Sequence, residues 1–216
     1  MEQGFDRRVV PERALAFVRA CQRKVPCHLG GGAALAGVYL RHRLSNDIDL
    51  FVHDARDQRD LVASLRDIAQ ETGCVVTLQR DAGSHVRARL DLRHSVLELD
   101  VVHEPIEDLA PPPPAIDGVV VESLADLRAS KLTCLLSRSE PRDLVDVLFL
   151  ERAGYRPEDD IHLALRKDAG IDPGVLAWLL REFPVQPLPV MLVDLHTDEL
   201  RAYRDALANR FKAIAR

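Results

Sequence analysis

The sequence contains no apolar run that approaches the length of a membrane span. Crossing the hydrocarbon core of a bilayer takes about 20 mostly apolar residues in a helix. The N-terminal stretch MEQGFDRRVVPERALAF also has neither the apolar centre nor the cleavage site of a secretory signal. We therefore expect a cytoplasmic protein that makes no use of a membrane.

An excess of basic charge and paired cysteines are also missing. The formal net charge is -5, so only a local basic patch would attract nucleic acid. The four cysteines, Cys21, Cys27, Cys74 and Cys134, form no Cys-x-x-Cys pair and have no His-x3-His companion. This argues against a zinc site built on cysteine and predicts reduced thiols, several of them in the core.

The composition is that of a globular protein, with 47% hydrophobic and 29% charged residues in a chain of 216. That length fits one large domain or two small ones. The first half alternates helical periodicity with short strands, which predicts an α/β (α+β) fold with a small mixed sheet flanked by helices. The second half is mostly helical. We predict a boundary at residue 120, giving an α/β domain 1–120 and a helical domain 121–216.

A proline run separates the two patterns. Pro111 to Pro114 are consecutive, in the segment EPIEDLAPPPPAIDG, and cannot occupy a helix interior or a central strand. The segment is interpreted as a rigid, extended connection on the surface. A proline-rich ligand for a partner domain is the alternative, and a spacer is favoured.

Two acids interrupt a predicted strand, DIDLFV. Successive side chains in a strand point to opposite faces, so Asp47 and Asp49 lie on one face and Ile48 on the other. Carboxylates this close repel each other, and a divalent cation such as Mg²⁺ would neutralise them. The alternative is a pair of solvated carboxylates on an exposed strand face.

Two further features point to the same chemistry, each with an ordinary explanation. Gly31 and Gly32 precede a predicted helix that begins near Ala33 or Ala34, which suits either a phosphate approach or a plain turn. On a later strand, VLELDVV, Glu98 and Asp100 share a face. One of these acids would complete a three-carboxylate metal site, unless the face is simply polar and solvated.

Charged residues also mark the helical half. Lys131 lies on an otherwise apolar helix, where a lysine usually packs its stem and keeps its amine in water. Arg142, Asp143 and Asp146 open the next helix, and the helix dipole alone favours acids in a first turn.

Taken in order, these elements resemble the DNA polymerase beta-like nucleotidyltransferase superfamily, and within it the AbiEii/AbiGii toxin-type branch, which includes toxins of type IV toxin–antitoxin systems. The resemblance spans roughly residues 28 to 150. It rests on five matched elements: Gly31-Gly32-Ala33-Ala34-Leu35, Arg43-Leu44-Ser45-Asn46-Asp47-Ile48-Asp49-Leu50, Asp100, Lys131, and Arg142-Asp143-Leu144-Val145-Asp146.

The resemblance implies a metal-dependent transfer of a nucleotide from an NTP to an acceptor hydroxyl. The implied metal ligands, for Mg²⁺ or Mn²⁺, are Asp47, Asp49 and Asp100. The implied nucleotide-binding residues are Gly31, Gly32, Ala33, Ser45 and Lys131. Asp143 and Asp146 complete the implied catalytic set, either by orienting Lys131 or by contacting the base or the acceptor. The acceptor is a tRNA 3′ end, a protein hydroxyl or a small molecule, and a cognate antitoxin is the implied partner.

One departure from the family pattern bears on activity. Ala33 stands where the family usually has serine or threonine, whose hydroxyl is expected to help hold a phosphate. The alanine favours, as an alternative, a relative that binds nucleotide or a partner without catalysis. A protein that serves only for interaction is a third hypothesis.

For an RNA acceptor, the predicted basic surface consists of Arg41, His42, Arg43, Arg87, Arg89 and Arg93. A solvated basic edge explains these residues equally well.

Overall fold

The computed structural model describes residues 4–215 and divides the chain into two compact units. The first unit ends at Ser123 and the second begins at Leu124. The sequence placed its boundary at residue 120, whereas Val121 pairs with Leu29 in a parallel bridge. The residues just after 120 therefore belong with the sheet of the first unit.

Over residues 4–123, the first unit contains three α-helices and five strands. Its elements are α1 (Glu12–Lys24), β1 (His28–Leu29), α2 (Gly31–Ala34), β2 (Asp47–Val52), α3 (Ala55–Thr72), β3 (Val75–Asp81), β4 (His85–Asp91) and β5 (Val96–His103). A π-helical stretch, Leu35–Leu40, continues α2 without a break. The strands form one mixed sheet in the order β1-β2-β5-β4-β3, in which β2 and β5 are parallel and the other pairs are antiparallel. The predicted small mixed sheet flanked by helices is confirmed.

Local sequence explains the ends of α3, the longest helix of this unit. The Asp54 side chain accepts a hydrogen bond from the Arg56 amide at the first turn, and Gly73 ends the helix with φ of 69°. The apolar residues Leu61, Leu65 and Ile68 recur on one face and are buried. The helix contacts β2, β3 and β5, so this face covers the apolar side of the sheet.

The predicted helix after the glycines is displaced in the structure. The prediction began it near Ala33 or Ala34, but helical structure begins at Gly31 and ends at Leu40. Arg41 adopts a left-handed conformation, with φ of 52°, which stops the helix. His42 and Arg43 then turn into the interior, where they are buried.

The proline segment contains neither a helix nor a strand between residues 104 and 118. This agrees with the prediction of an irregular connection, and nothing in the structure bears on a role as a ligand. All four cysteines are free thiols, and Cys21, Cys27 and Cys74 are buried, as predicted.

The second unit is helical. Its helices are α4 (Leu124–Ser137), α5 (Pro141–Arg152), α6 (Ile161–Lys167), α7 (Pro173–Arg181) and α8 (Thr197–Ile214), with a 3₁₀ turn at Pro157–Asp160. Pro141 opens α5, where its missing N–H costs nothing, and Asp172 caps α7 through the Val175 amide. Among the described helices of the chain, none is long and apolar enough to cross a membrane.

Candidate active site

The acidic face of the sheet forms where the two parallel strands lie side by side. Along β2, Ile48, Leu50 and Val52 are buried, while Asp47 and Asp49 are half-buried on the opposite face. The register sets Asp47 opposite Glu98 and Asp49 opposite Asp100 of β5. Because neighbouring strands are about 4.8 Å apart, the backbones of Asp49 and Asp100 are that close. The strand alternation predicted from DIDLFV and VLELDVV therefore places these acids on one face.

Asp100 is held by two basic side chains of β4. Its Oδ1 accepts hydrogen bonds from His85 Nε2 at 2.8 Å and from Arg87 Nε at 2.9 Å, and its Oδ2 accepts from an Arg87 terminal nitrogen at 3.0 Å. Burial raises the pKa of Asp100, but the bonds from Arg87 and His85 outweigh burial and lower it below its usual value. Asp100 is therefore an anion at neutral pH.

These bonds leave Asp100 suited to a metal ion as well. A carboxylate has about four lone-pair positions, and the three bonds occupy both positions of Oδ1 and one of Oδ2. The remaining position of Oδ2 is sufficient for a single bond to a cation. Metal-binding carboxylates are commonly oriented by outer hydrogen bonds of this kind. Asp47, Asp49 and Asp100 thus offer, on one face of two adjacent strands, the oxygen ligands that a hard divalent ion such as Mg²⁺ or Mn²⁺ prefers.

The glycine turn packs directly against this acidic face. A Cβ atom on Gly31 would lie 1.9 Å from Asp49 Oδ2, and the residue has φ of 58°. A Cβ on Gly32 would lie 2.8 Å from an Arg43 guanidinium nitrogen and 3.0 Å from Ser45 Oγ. A side chain at either position would displace these groups, and at Gly31 it would also strain the left-handed backbone. The turn predicted to approach a phosphate therefore lies directly against Asp49 and Ser45.

Replacing Gly31 by alanine is expected to lower nucleotide transfer by about 100-fold, because the new methyl group must displace the Asp49 carboxylate. Gly83→Ala is the matched control, since Gly83 also has positive φ, 78°, but a Cβ there meets nothing within 4 Å. Both variants should lose about 1–2 kcal/mol of stability from backbone strain. Equal transfer rates per folded molecule, with folding followed by circular dichroism, would contradict the assigned role of Gly31.

Ala33 is fully buried in the first turn after the glycines. The methyl group therefore does not line an open surface. Beneath the same turn, Arg43 is 2% exposed and donates from Nη1 to the Leu44 carbonyl oxygen at 2.8 Å. A positively charged side chain thus lies against Gly32, one residue before the position where the family usually supplies a hydroxyl.

The predicted basic surface is only partly at the surface. His42 and Arg43 are buried, because the chain turns inward after Arg41, and Arg87 is paired with Asp100. Arg41, Arg89 and Arg93 are exposed. The prediction of a single six-residue basic surface is therefore wrong for His42 and Arg43.

Lys131 is buried in the second unit together with both predicted acids. Its Nζ lies 3.0 Å from Asp143 Oδ1 and 2.7 Å from Asp146 Oδ2, and all three side chains are at most 3% exposed. The expectation of an amine in water at the helix edge is wrong, because the acids of α5 draw the ammonium group inside. Both acids are placed to orient Lys131, which was one of the two roles considered for them.

Arg138 extends this buried cluster and was not predicted. It contacts Asp143 through Nε at 2.8 Å and through a terminal nitrogen at 3.0 Å. Burial raises the pKa of Asp143, but the charges of Lys131 and Arg138 outweigh it and lower the pKa. Asp143 is therefore ionised at neutral pH.

His85 and Arg87 were also missed as partners of Asp100. The signal was present in the alternation of HVRARLDL, where His85, Arg87 and Arg89 share a face. Using it requires the register of β4 against β5, which sets Arg87 opposite Asp100 and Arg89 opposite Glu98. That register depends on the connection between residues 92 and 95, where Arg93 has φ of 76°.

Solved structures share this fold. JHP933 from Helicobacter pylori is 19% identical, with a TM-score of 0.59 over 94% of this chain and 90% of that protein. MenT4, the nucleotidyltransferase toxin Rv2826c from Mycobacterium tuberculosis H37Rv, is 16% identical, with a TM-score of 0.56 over 94% of this chain and 84% of that protein. At these identities the likeness shows a common fold. No curated protein matches the sequence.

A family model supplies the identification. The nucleotidyl transferase AbiEii toxin family of type IV toxin–antitoxin systems matches residues 18–216, and the chain belongs to it. The protein is therefore a nucleotidyltransferase of the toxin class, and an NTP substrate and an antitoxin partner follow from membership. The resemblance read from the motifs is confirmed.

Proposed function

We propose that this toxin transfers a nucleotide from an NTP to an acceptor hydroxyl, and that transfer depends on Mg²⁺ or Mn²⁺. The observation that best supports this proposal is the strand register, which sets Asp49 opposite Asp100 while Gly31 packs against Asp49. This brings two acids on neighbouring strands next to a glycine turn that carries no side chains.

The proposed metal ligands are Asp47, Asp49 and Asp100. The ion would neutralise charge on the triphosphate and on the leaving pyrophosphate. Asp100 serves as a ligand rather than as a proton acceptor, because its lowered pKa makes it a weak base. His85 and Arg87 hold its carboxylate in one orientation.

The glycine turn is proposed to face the phosphates. Gly31 and Gly32 have no side chains to keep a phosphate from the backbone N–H groups. The buried Arg43 guanidinium adds positive charge beneath Gly32, and Ser45 lies beside it. We infer that Arg43 offsets the missing hydroxyl at Ala33.

In the proposed transfer, one bond to phosphorus forms and one breaks. The acceptor oxygen forms a bond to the α-phosphorus as the bond from that phosphorus to the bridging oxygen breaks. Pyrophosphate leaves with the electron pair, and the hydroxyl proton passes to solvent. Lys131, which Asp143 and Asp146 hold by ion pairs, keeps in this proposal the role in nucleotide binding that the family resemblance implies.

A phosphate-bearing acceptor such as a tRNA 3′ end is favoured over a neutral small molecule. Arg80, Arg87 and Arg89 of β3 and β4 lie beside the acidic face, since Arg80 is opposite Arg87 and Arg89 is opposite Glu98. This local basic strip stands out in a chain of net charge -5. We propose that it meets the acceptor backbone in the cytoplasm, where NTPs and the proposed antitoxin are present.

The test is to incubate the protein with each labelled NTP, Mg²⁺ and either total tRNA or cell protein. We expect label from one or more NTPs to appear in the tRNA fraction, and chelation with EDTA to abolish it. Label in protein alone would contradict the acceptor assignment. Full transfer in EDTA would contradict the metal assignment.

Nucleotide binding without catalysis is the second candidate, and Ala33 is the observation in its favour. It predicts a nucleotide-dependent rise in melting temperature with no NTP consumed in Mg²⁺ or Mn²⁺. Consumption of NTP that disappears in an Asp49→Asn variant would exclude it.

A further inference from the structure

Two histidines and an aspartate meet in the first unit, outside the proposed nucleotide site. His28 lies on β1, His53 follows β2 directly, and Asp108 belongs to the segment that precedes the prolines. Their ligand atoms all lie within 4.8 Å of one another. Among residues 4–215, the structure brings these three metal-ligating side chains together within that distance.

The distances match those between ligands of one ion. Asp108 Oδ1 is 3.1 Å from His53 Nε2 and 3.6 Å from His28 Nδ1. Ligands bound at 2.0–2.1 Å to a tetrahedral ion lie about 3.3 Å apart. The side chains are only partly exposed, His28 the least at 18%, so the site is shielded yet open to an ion from solvent.

The hydrogen bond on the other side of His53 strengthens this interpretation. His53 Nδ1 lies 2.8 Å from the Glu104 carbonyl oxygen. Because a carbonyl oxygen only accepts, Nδ1 carries the hydrogen, and in the neutral ring Nε2 presents a lone pair. That lone pair faces the Asp108 carboxylate oxygen at 3.1 Å. Two acceptors at this distance need a cation between them, either a proton on Nε2 or a metal ion.

Metal-binding histidines commonly donate their second ring N–H to a backbone carbonyl, which fixes the ring and its tautomer. Imidazole nitrogens favour zinc-like ions, whereas Mg²⁺ prefers oxygen. Three protein ligands leave one position of a tetrahedral ion for water. A cavity of about 500 Å³ borders His53 and Asp108 and gives that position room.

We propose that His28, His53 and Asp108 form a second metal site, which binds a zinc-like divalent ion. The ion joins β1, the end of β2 and the segment before Pro111, and so fixes that segment to the sheet. The site lies apart from Asp49 along the sheet, because His53 is four residues, or about 13 Å of strand, beyond Asp49. The proposal does not depend on nucleotide transfer.

The test is a Zn²⁺ titration of the metal-stripped full chain in excess Mg²⁺, which occupies oxygen-only sites. We expect the wild type and Asp49→Asn to bind one equivalent of Zn²⁺ and to melt at a higher temperature with it. His53→Gln and Asp108→Asn should lose both effects. His94→Gln, an exposed histidine outside the group, is the matched control and should keep them.

Two results with folded variants would overturn the proposal. Zinc bound equally by His53→Gln and Asp108→Asn, or lost in Asp49→Asn, would place the ion elsewhere. If the variants fail to fold, the Co²⁺-substituted wild type decides, since tetrahedral histidine ligation gives strong visible absorption. Its absence would leave a protonated His53 paired with Asp108.

Discussion

Nucleotide transfer is expected to fall by about three orders of magnitude when Asp49 is replaced by asparagine. Losing one metal ligand of the proposed site removes several kcal/mol of charge stabilisation in the transition state, and about 4 kcal/mol corresponds to this factor. Asparagine is preferred to alanine because it keeps the volume that packs against Gly31. Transfer of labelled NTP under single-turnover conditions measures the effect.

Glu98→Gln is the matched control for this variant. Glu98 lies on the same face, opposite Asp47 and two residues before Asp100 on β5. Neutralising Glu98 therefore removes one negative charge from this face and leaves Asp49 unchanged. We expect transfer within about threefold of wild type, because Glu98 is not among the proposed ligands. Similar losses in both variants would show that net charge on the face, rather than ligation by Asp49, supports transfer.

Replacing Lys131 by methionine is expected to lower the free energy of unfolding by about 3–5 kcal/mol, because two buried carboxylates lose a shared cation. The side chains of Asp143 and Asp146 are fully buried, and although Arg138 still contacts Asp143, Asp146 loses its 2.7 Å ion pair with Lys131. Urea unfolding followed by circular dichroism measures the change. A loss below about 1 kcal/mol would contradict the buried ion cluster.

Lys167→Met separates stability from function. Lys167 is a second buried lysine of the same unit, 3.3 Å from Asp126. Both variants should lose stability, but transfer per folded molecule should fall only in Lys131→Met, the residue to which the family resemblance assigns a role in nucleotide binding. If transfer survives equally in both, Lys131 is purely structural and its proposed role in nucleotide binding is wrong.

Much of the fold was predictable, because hydrophobic periodicity and turn-forming residues are local features of the sequence. The strand DIDLFV was predicted with the bounds it has. The helix after Gly30 was harder, since its start depends on Gly31 packing against Asp49 and its end on the left-handed Arg41. These conformations depend on contacts distant in sequence.

The site shows the same division. The spacing of Asp47 and Asp49 already required a common face. Which strand adjoins them, and in what register, required the sheet order that brings β5 beside β2. The metal roles of the three acids stay predictions, whereas the burial of Lys131 between Asp143 and Asp146 was contrary to expectation.

The sequence by itself determined the family, the alternation of acids along β2 and the need for glycine before the helix, because motif order and side-chain period are properties of the chain. Only the tertiary structure decided that Arg87 pairs with Asp100, that Arg43 lies beneath Gly32, and that His28 and His53 meet Asp108. The physical reason is that strand register and the turn after Arg41 bring together side chains that are far apart in sequence, and sequence spacing carries no record of those distances.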